Sequence, residues 1–331
     1  MNSFHYVQAR TVPDAVRAVA GQPGARFLAG GTTLLDLMKC GVEAPSALVD
    51  ITRLPGLAAI EIGPARIRIG ALARMSDVAD HPGIRQAFPV LSESLWRGAS
   101  QQLRNMARIG GNLLQRTRCS YFREPAAYPA CNKRNPGSGC AAMEGVNRGH
   151  AVLGVSDSCI ATHAGDFAVA LVAFDAVVEV ENGARRRIAA NDFFLLPGDT
   201  PHREFALEPG ELITGIEIPV SAALRRSHYL KVRDRESYEF AAASAAVGLE
   251  LAPDGRTIRD LRVGLGGVAT KPWRARAVEN ALIGNTLDEP TVRAASVLAM
   301  DRALDSGANA FKIGLAPRVI AHAILAVGGL G

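Results

Sequence analysis

Four of the five cysteines in this 331-residue chain lie in one segment, and this grouping constrains the fold more than any other feature. They are Cys119, Cys131, Cys140 and Cys159. Ile109-Gly110-Gly111-Asn112 precedes the segment and Gly165-Asp166-Phe167-Ala168 follows it. A segment that concentrates its thiols in this way is either cross-linked or holds a metal.

The spacing of the four thiols separates some explanations from others. The pattern Cys-x11-Cys-x8-Cys-x18-Cys is too long for the Cys-x2-Cys pairs of zinc ribbons and ferredoxins. Disulfides explain it poorly, because a chain of this length builds an adequate core without them. Zinc is an alternative, although a zinc site would more often recruit the nearby His150 and His163 at short spacing. A [4Fe–4S] cluster is another, since four thiolates are its usual ligands and residues 132–139 offer many N–H donors. Buried free thiols are the third.

Charge and hydropathy indicate that this chain neither binds nucleic acid nor inserts into a membrane. The net charge is +5, but the basic residues form no long block and few aromatic residues interleave with them, so we expect no nucleic-acid partner. The N-terminus lacks a basic segment followed by an apolar one, and no run of 18 apolar residues occurs. We therefore expect neither an export signal nor a membrane span in this chain.

Glycine pairs mark a second candidate site near the N-terminus. A predicted strand at residues 26–28 leads into Ala29-Gly30-Gly31-Thr32-Thr33, and a predicted helix follows at 34–39. Such a turn leaves backbone N–H groups free to bind a phosphate. The alternative is a simple tight turn, since glycine pairs are common there. After residue 219 the sequence predicts three antiparallel strands and then helices. The strands are at 226–232, 243–251 and 257–265, and the helices at 275–282, 291–304 and 316–327.

Several of these motifs occur together in one known family. The glycine turn, Ile109 to Leu113, Gly165 to Ala168, Glu211 to Ile213 and Lys231 follow the order of the FAD-binding subunit of molybdenum hydroxylases. The chain resembles this family, which includes xanthine dehydrogenase and carbon monoxide dehydrogenase, over nearly its whole length. The cysteine segment most resembles the flavoprotein subunit of periplasmic-type aldehyde oxidoreductases, which carries an extra [4Fe–4S] cluster.

The resemblance implies an α+β fold in three parts. Residues 1–56 and 57–220 would form a two-subdomain FAD-binding fold of the vanillyl-alcohol-oxidase type, also called the PCMH type. An iron–sulfur loop would be inserted at about 115–162. Residues 224–331 would form a C-terminal domain with a three-stranded antiparallel sheet and helices.

The resemblance also implies the site residues. No side chain would act as a catalytic acid, base or nucleophile, because the cofactor carries the chemistry. The thiolates of Cys119, Cys131, Cys140 and Cys159 would hold the [4Fe–4S] cluster. The residues expected to bind FAD are Leu28, Ala29, Gly30, Gly31, Thr32, Thr33, Leu34, Leu35, Arg108, Gly111, Asn112, Asp166, Ile213 and Lys231.

The implied function is electron transfer within a complex. A large subunit with the molybdenum cofactor would oxidise an aldehyde, and electrons would pass through two [2Fe–2S] clusters of a small subunit to FAD on this chain and then to an external acceptor. The protein would fold in the cytoplasm, and a partner with a twin-arginine signal could export it. Alternatives are an NAD-linked xanthine dehydrogenase-like subunit, a 4-hydroxybenzoyl-CoA reductase-like subunit, a stand-alone FAD oxidase and a zinc-stapled binding module.

Two positions depart from the family pattern. Arg108 stands where the family more often has a threonine or serine before Ile-Gly-Gly-Asn. After Lys231 the family has the pattern Arg-x-x-x-Asp-x-Ala. In this chain the corresponding residues 235–241 read Arg-Glu-Ser-Tyr-Glu-Phe-Ala and include Tyr238. We hypothesise that Tyr238 covers a face of the flavin that other members leave open to a nicotinamide, so that NAD is a poor acceptor.

Overall fold

The computed structural model describes residues 2–330 and has three β-sheets with helices packed between and around them. The chain is therefore an α+β protein, as predicted. Each sheet has its own cluster of buried apolar side chains, and the cluster around the central sheet is the largest.

The first sheet is parallel and three-stranded, in the order β1–β3–β2. Its elements are β1 (His5–Gln8), α1 (Val12–Ala20), β2 (Arg26–Leu28), α2 (Leu34–Lys39) and β3 (Ala47–Asp50). Helix α1 begins where the Thr11 hydroxyl accepts from the Asp14 N–H, which satisfies an otherwise unpaired helical donor. Gly31 has a φ of +72°, a conformation that glycine adopts readily, and it lets the chain turn from β2 into α2.

The central sheet is antiparallel and five-stranded, in the order β4–β5–β8–β6–β7. Its strands are β4 (Ile60–Ile62), β5 (Arg66–Gly70), β6 (Val177–Asn182), β7 (Ala184–Ala189) and β8 (Leu212–Pro219). The helices of this part of the chain are α3 (Met75–Ala79), α4 (Pro82–Ala87), α5 (Pro89–Trp96), α6 (Gln101–Met106), α7 (Ile109–Leu113), α8 (Ser120–Arg123), α9 (Asp166–Ala173) and α10 (Ala190–Phe193). All eight residues of α9 are buried, so Asp166 enters the interior at the N-terminus of that helix.

The last sheet is antiparallel, in the order β12–β11–β10–β9. Its elements are α11 (Ala222–Arg225), β9 (Ser227–Val232), β10 (Ala243–Leu251), β11 (Ile258–Gly266), β12 (Trp273–Arg274), α12 (Arg276–Leu282), α13 (Glu289–Ser296), a 3₁₀ helix (Val297–Met300) and α14 (Phe311–Gly328). The predicted count of three strands was wrong. The fourth strand, β12, has two residues, which is too short for an alternating pattern to reveal it.

Helix α14 begins five residues before the predicted start at 316. Pro317 lies inside α14, which continues on both sides of it. This helix is also the one described helix long and apolar enough to cross a membrane by length and composition. It packs against β9 and β10, as a core helix does.

Residues 115–162 contain little regular structure beyond α8. An isolated antiparallel bridge joins Cys131 to Cys140, and an isolated parallel bridge joins Leu153 to Ala269 of the C-terminal domain. This segment, which we call the cysteine loop, therefore contacts the C-terminal domain as well as the central one.

Candidate functional site

The glycine turn between β2 and α2 presents free backbone donors to a cavity. Within the described chain, the N–H groups of residues 30–33 donate no hydrogen bond to another backbone carbonyl. A Cβ added to Gly30 would lie 2.1 Å from the Met106 carbonyl oxygen, so only glycine fits at this position. Free N–H groups at the start of a helix form a binding site for an anion such as a phosphate.

The cavity at this turn, which we call the turn cavity, has a volume of about 310 Å³. Gly111 lines the opposite wall, and its N–H also lacks a main-chain partner among the described residues. Arg108 lines the same cavity and donates to the Leu72 carbonyl at 3.1 Å, while its Nε is buried without a partner in residues 2–330. Burial, and next the charge of Arg74, lower the pKa of Arg108. An anion in the cavity would relieve both effects.

A second cavity of about 400 Å³, the ring cavity, adjoins the first, and Thr32 lines both. The side chains of Asn112, Asp166 and Lys231 contribute to its wall. The Asn112 amide nitrogen lies 3.4 Å from the Met75 sulfur, and the amide oxygen is buried with no partner in the described chain. An elongated ligand with a phosphate centre and an aromatic end could extend through both cavities.

A buried hydrogen-bond network forms part of the wall of the ring cavity. The Asp166 carboxylate accepts from Tyr229 Oη at 2.7 Å and from Lys231 Nζ at 2.8 Å. Lys231 Nζ also donates to the Arg97 carbonyl, and Tyr229 Oη is 2.9 Å from the Ser244 hydroxyl. Burial raises the pKa of Tyr229 well above its ordinary value, so the phenol stays protonated. Lys231, one of the residues expected to bind FAD, thus forms a buried ion pair with Asp166.

Most of the predicted FAD-binding residues lie at these two cavities. Those at the turn cavity are Ala29, Gly30, Gly31, Thr32, Thr33, Leu34, Arg108, Gly111 and Ile213. Those at the ring cavity are Thr32, Asn112, Asp166 and Lys231. Leu28 and Leu35 line neither. Their side chains lie behind the turn, with the Leu35 Cδ1 atom 2.9 Å from where a Gly31 Cβ would be.

The four cysteines of the loop line one small cavity. All four are free thiols. Burial is the main cause that raises the pKa of Cys119 to about 12, and the neighbouring Cys131 and Cys159 add to it. Within residues 2–330, no three His, Cys, Asp or Glu side chains are placed to hold one metal ion. A [4Fe–4S] cluster requires a different arrangement, because each of its four irons binds one thiolate and no iron needs three protein ligands.

Backbone and side-chain contacts fix two of these cysteines in a narrow loop. Cys131 and Cys140 face each other across their bridge, and the Asn132 N–H donates to the Gly139 carbonyl at 2.7 Å. The Cys131 N–H donates to the Ser138 hydroxyl at 2.9 Å. These local hydrogen bonds therefore fix the backbone that carries the two thiols.

A network of ion pairs anchors the cysteine loop to the central domain. Lys133 Nζ lies 3.0 Å from the Glu204 carboxylate, and Arg116 bridges Glu204 and Glu43. The side chains of Lys133 and Glu204 are only 10% and 14% exposed. Burial acts to raise the pKa of Glu204, but the two cations hold it below its ordinary value. The pairing therefore favours the charged carboxylate.

The sequence interpretation missed residues that link the two candidate sites. Arg118, next to Cys119, lines the ring cavity and donates to Asp36 at 3.2 Å, and Arg123 donates to the same carboxylate at 2.6 Å. Nothing local in the sequence indicates this pairing across more than 80 residues. Tyr229 could have been found, because it lies two residues before Lys231 and therefore on the same face of a strand.

The loop between β9 and β10 covers part of the ring cavity. Tyr238 lines that cavity, is 57% exposed and has a φ of +52°, which is uncommon for a residue with a Cβ. The Arg235 guanidinium lies 5.9 Å from its ring centroid. The location of Tyr238 at the cavity is consistent with the covering role hypothesised above and does not test it.

Two protein families match this chain. The FAD binding domain in molybdopterin dehydrogenase matches residues 2–221, and the CO dehydrogenase flavoprotein C-terminal domain matches residues 228–327. Together they account for nearly the whole sequence.

Individual relatives agree with this result. The chain is 47% identical to the aldehyde oxidoreductase FAD-binding subunit PaoB of Escherichia coli K12, over 98% of each chain. It is 27% identical to the glyceraldehyde dehydrogenase medium chain of Sulfolobus acidocaldarius, over 88% of this chain and 84% of the relative. A carbon monoxide dehydrogenase structure from Hydrogenophaga pseudoflava matches with a TM-score of 0.76 at 26% identity, covering 99% of this chain and 98% of the other.

Proposed function

This chain belongs to the FAD-binding medium subunits of the molybdenum hydroxylase family, and we propose that it carries electrons through FAD and an iron–sulfur cluster in an aldehyde oxidoreductase complex. The family assignment drawn from the glycine motifs is confirmed, as is the assignment to an oxidoreductase subunit. The observation that carries the proposed mode of FAD binding is the turn cavity. Among residues 2–330, the N–H groups of residues 30–33 that line it have no main-chain partner, and the Nε of Arg108 has no hydrogen-bond partner.

The residues of the two cavities suggest how FAD would be held. The N–H groups of residues 30–33 and of Gly111 would donate to the pyrophosphate, and the guanidinium of Arg108 would neutralise part of its charge. Asn112 would offer its unpaired amide oxygen in the ring cavity. Bound FAD would supply the exchange of electron pairs for single electrons, so the protein has to bind and orient it without acid or base catalysis.

The relatives suggest the partners. The E. coli relative is named as an FAD-binding subunit, and those from S. acidocaldarius and H. pseudoflava as medium chains. We therefore infer a heterotrimer-type complex with a large molybdenum-cofactor subunit and a small subunit with two [2Fe–2S] clusters. In that complex an aldehyde is oxidised on the large subunit and an external acceptor removes the electrons. These roles follow from the likeness to the aldehyde oxidoreductase subunit.

We also propose that the cysteine loop holds a [4Fe–4S] cluster. The support is the donor set: Cys119, Cys131, Cys140 and Cys159 share one cavity, and the Ala161 N–H donates to the Cys159 sulfur at 3.4 Å. Cluster sulfurs accept such donors, which tune the reduction potential. A bound cluster would supply one-electron storage or relay beside the ring cavity, to which Arg118 connects the loop.

Flavin and iron analysis of the co-purified complex tests both proposals separately. We expect one FAD and, beyond the iron of the small subunit, four irons per chain. Cys131→Ser with Cys140→Ser should remove those four irons and leave the flavin bound. Cys40→Ser is the matched control, because Cys40 is free but does not line the cavity of the other four.

The possible outcomes of this experiment contradict different proposals. A complex without flavin would contradict the proposed FAD site, and a complex with flavin but without the additional four irons would contradict only the cluster. Loss of iron in the Cys40 control to the same extent would show that the effect is not specific to the loop cavity.

A further inference from the structure

One histidine of the cysteine loop lies against a proposed cluster ligand. His150 Nε2 is 3.2 Å from the Cys119 sulfur, within the distance of a hydrogen bond to sulfur. The residue is 7% exposed, and its Nδ1 is buried without a hydrogen-bond partner in the described chain. The only polar contact of the ring in residues 2–330 is thus the one to the sulfur.

The C-terminal domain fixes the backbone on both sides of this histidine. Lys312 of α14 donates to the Gly149 carbonyl at 3.0 Å and to the Gly267 carbonyl at 2.6 Å. Asn309 donates to the Ala151 carbonyl at 2.9 Å. Both side chains are almost fully buried, at 1% and 0% exposed. The segment that carries His150 is therefore clamped to a folded domain rather than left in a free loop.

A second clamp lies just before the histidine. Asn147 donates to the Ser306 carbonyl at 2.5 Å and accepts from the Ala308 N–H at 3.1 Å. The His150 N–H in turn donates to the Asn147 carbonyl at 2.8 Å. On the loop side, the Tyr121 ring centroid lies 6.2 Å from that of His150. These contacts fix the orientation of the imidazole.

We propose that His150 is a positioning residue that donates a hydrogen bond to the Cys119 sulfur and thereby sets the reduction potential of the cluster. This inference rests on the proposed [4Fe–4S] site. A cluster-bound sulfur can only accept, so the imidazole presents its N–H at Nε2. Such a donor stabilises the more negative, reduced state of the cluster and raises its potential.

Redox titration of the assembled complex, followed by electron paramagnetic resonance, tests this role. His150→Phe removes the donor and keeps a ring of similar size. At a fixed potential we expect the ratio of reduced to oxidised cluster to fall about tenfold, which is about 59 mV for a one-electron couple. His150→Gln keeps an N–H donor and should restore most of the shift. The [2Fe–2S] centres of the small subunit should keep their potentials and serve as an internal reference.

His163→Phe is the matched control. His163 and His150 line one cavity, but the Nδ1 of His163 accepts from the Gly165 N–H and the ring makes no hydrogen bond to a sulfur in the described chain. Its substitution should leave the cluster potential unchanged.

Each other outcome has a definite meaning. If His150→Phe keeps four irons and the native potential, the proposed role is wrong. If His150→Phe and His150→Gln both lose the four irons, His150 is needed to hold the cluster rather than to tune it, and the inference is also overturned. If the unsubstituted complex lacks the additional cluster, the proposed cluster site fails before any variant is made.

Discussion

Gly111 allows the proposed FAD site to be weakened without harming the fold. It lies in α7 and lines the turn cavity, and a Cβ built on it meets no atom within 4 Å. Gly111→Ala therefore adds a methyl group that only a ligand would contact. Replacing glycine by alanine inside a helix stabilises a protein by about 0.5–1 kcal/mol. The variant should thus be slightly more stable, while its affinity for FAD falls.

The loss of affinity follows from the hydrogen bond at stake. If the methyl group prevents the Gly111 N–H from reaching the pyrophosphate, the complex loses a hydrogen bond to a charged group, which is worth about 1.5–3 kcal/mol. This corresponds to a Kd for FAD that is roughly 10 to 100 times higher. Fluorescence titration of the deflavinated complex with FAD measures the Kd, and urea unfolding measures the stability.

Gly314→Ala is the control for this experiment. Gly314 lies in α14, lines neither cavity, and its added Cβ would also meet nothing within 4 Å. It should show the same small gain in stability with an unchanged Kd. Native FAD affinity in Gly111→Ala would refute the placement of the pyrophosphate, and a large loss of stability would refute the steric argument.

Three further predictions concern charges and access. Lys231→Met should lower the free energy of unfolding by about 3–5 kcal/mol, because it leaves the Asp166 carboxylate buried without its cation. Urea unfolding measures this loss, and the double variant with Asp166→Asn should recover most of it. Lys133 and Arg116 hold the pKa of Glu204 below its ordinary value of 4.5. The ion pairs of Glu204 therefore stabilise the folded protein fully above pH 4.5, and this contribution is lost as the pH falls through the pKa of the folded state. The free energy of unfolding, measured between pH 7 and about pH 3, should decrease with falling pH, and the decrease should be smaller in Glu204→Gln. The complex should form NADH slowly, and Tyr238→Gly should increase the rate roughly tenfold, equivalent to about 1.4 kcal/mol of barrier, as measured by absorbance.

These three predictions can each fail clearly. A single variant of Lys231 as stable as the double variant would show that the pair is not coupled. An unchanged pH profile in Glu204→Gln would contradict the role of the ion pairs in anchoring the cysteine loop. Rapid NADH formation by the unsubstituted complex would contradict the covering role of Tyr238.

Local patterns predicted the regular elements where the chain had enough residues to show a period. The predicted bounds of β9, β10 and β11 agree with the structure to within one residue at each end. The two residues of β12 show no period, and its pairing with β11 depends on tertiary structure. Helix α14 begins at Phe311 rather than at 316, because packing against the sheet sustains the helix on both sides of Pro317.

The site was predictable where it depends on backbone shape. Only glycine fits at position 30, and the structure places Gly30 and Gly31 at the turn cavity. Side-chain pairing was not predictable in the same way. Lys231 finds its carboxylate 65 residues earlier in the chain, and Lys312 reaches the loop carbonyl of Gly149 across 163 residues. No local pattern in the sequence encodes contacts of this range.

The clamp on the cysteine loop has a consequence for how the protein matures. Asn309 and Lys312 lie 150 residues or more after Cys159, the last of the four thiols, so they are synthesised later. A nascent polypeptide therefore exposes its thiols before the residues that immobilise the loop have left the ribosome. The loop reaches its clamped geometry only after those residues have been synthesised.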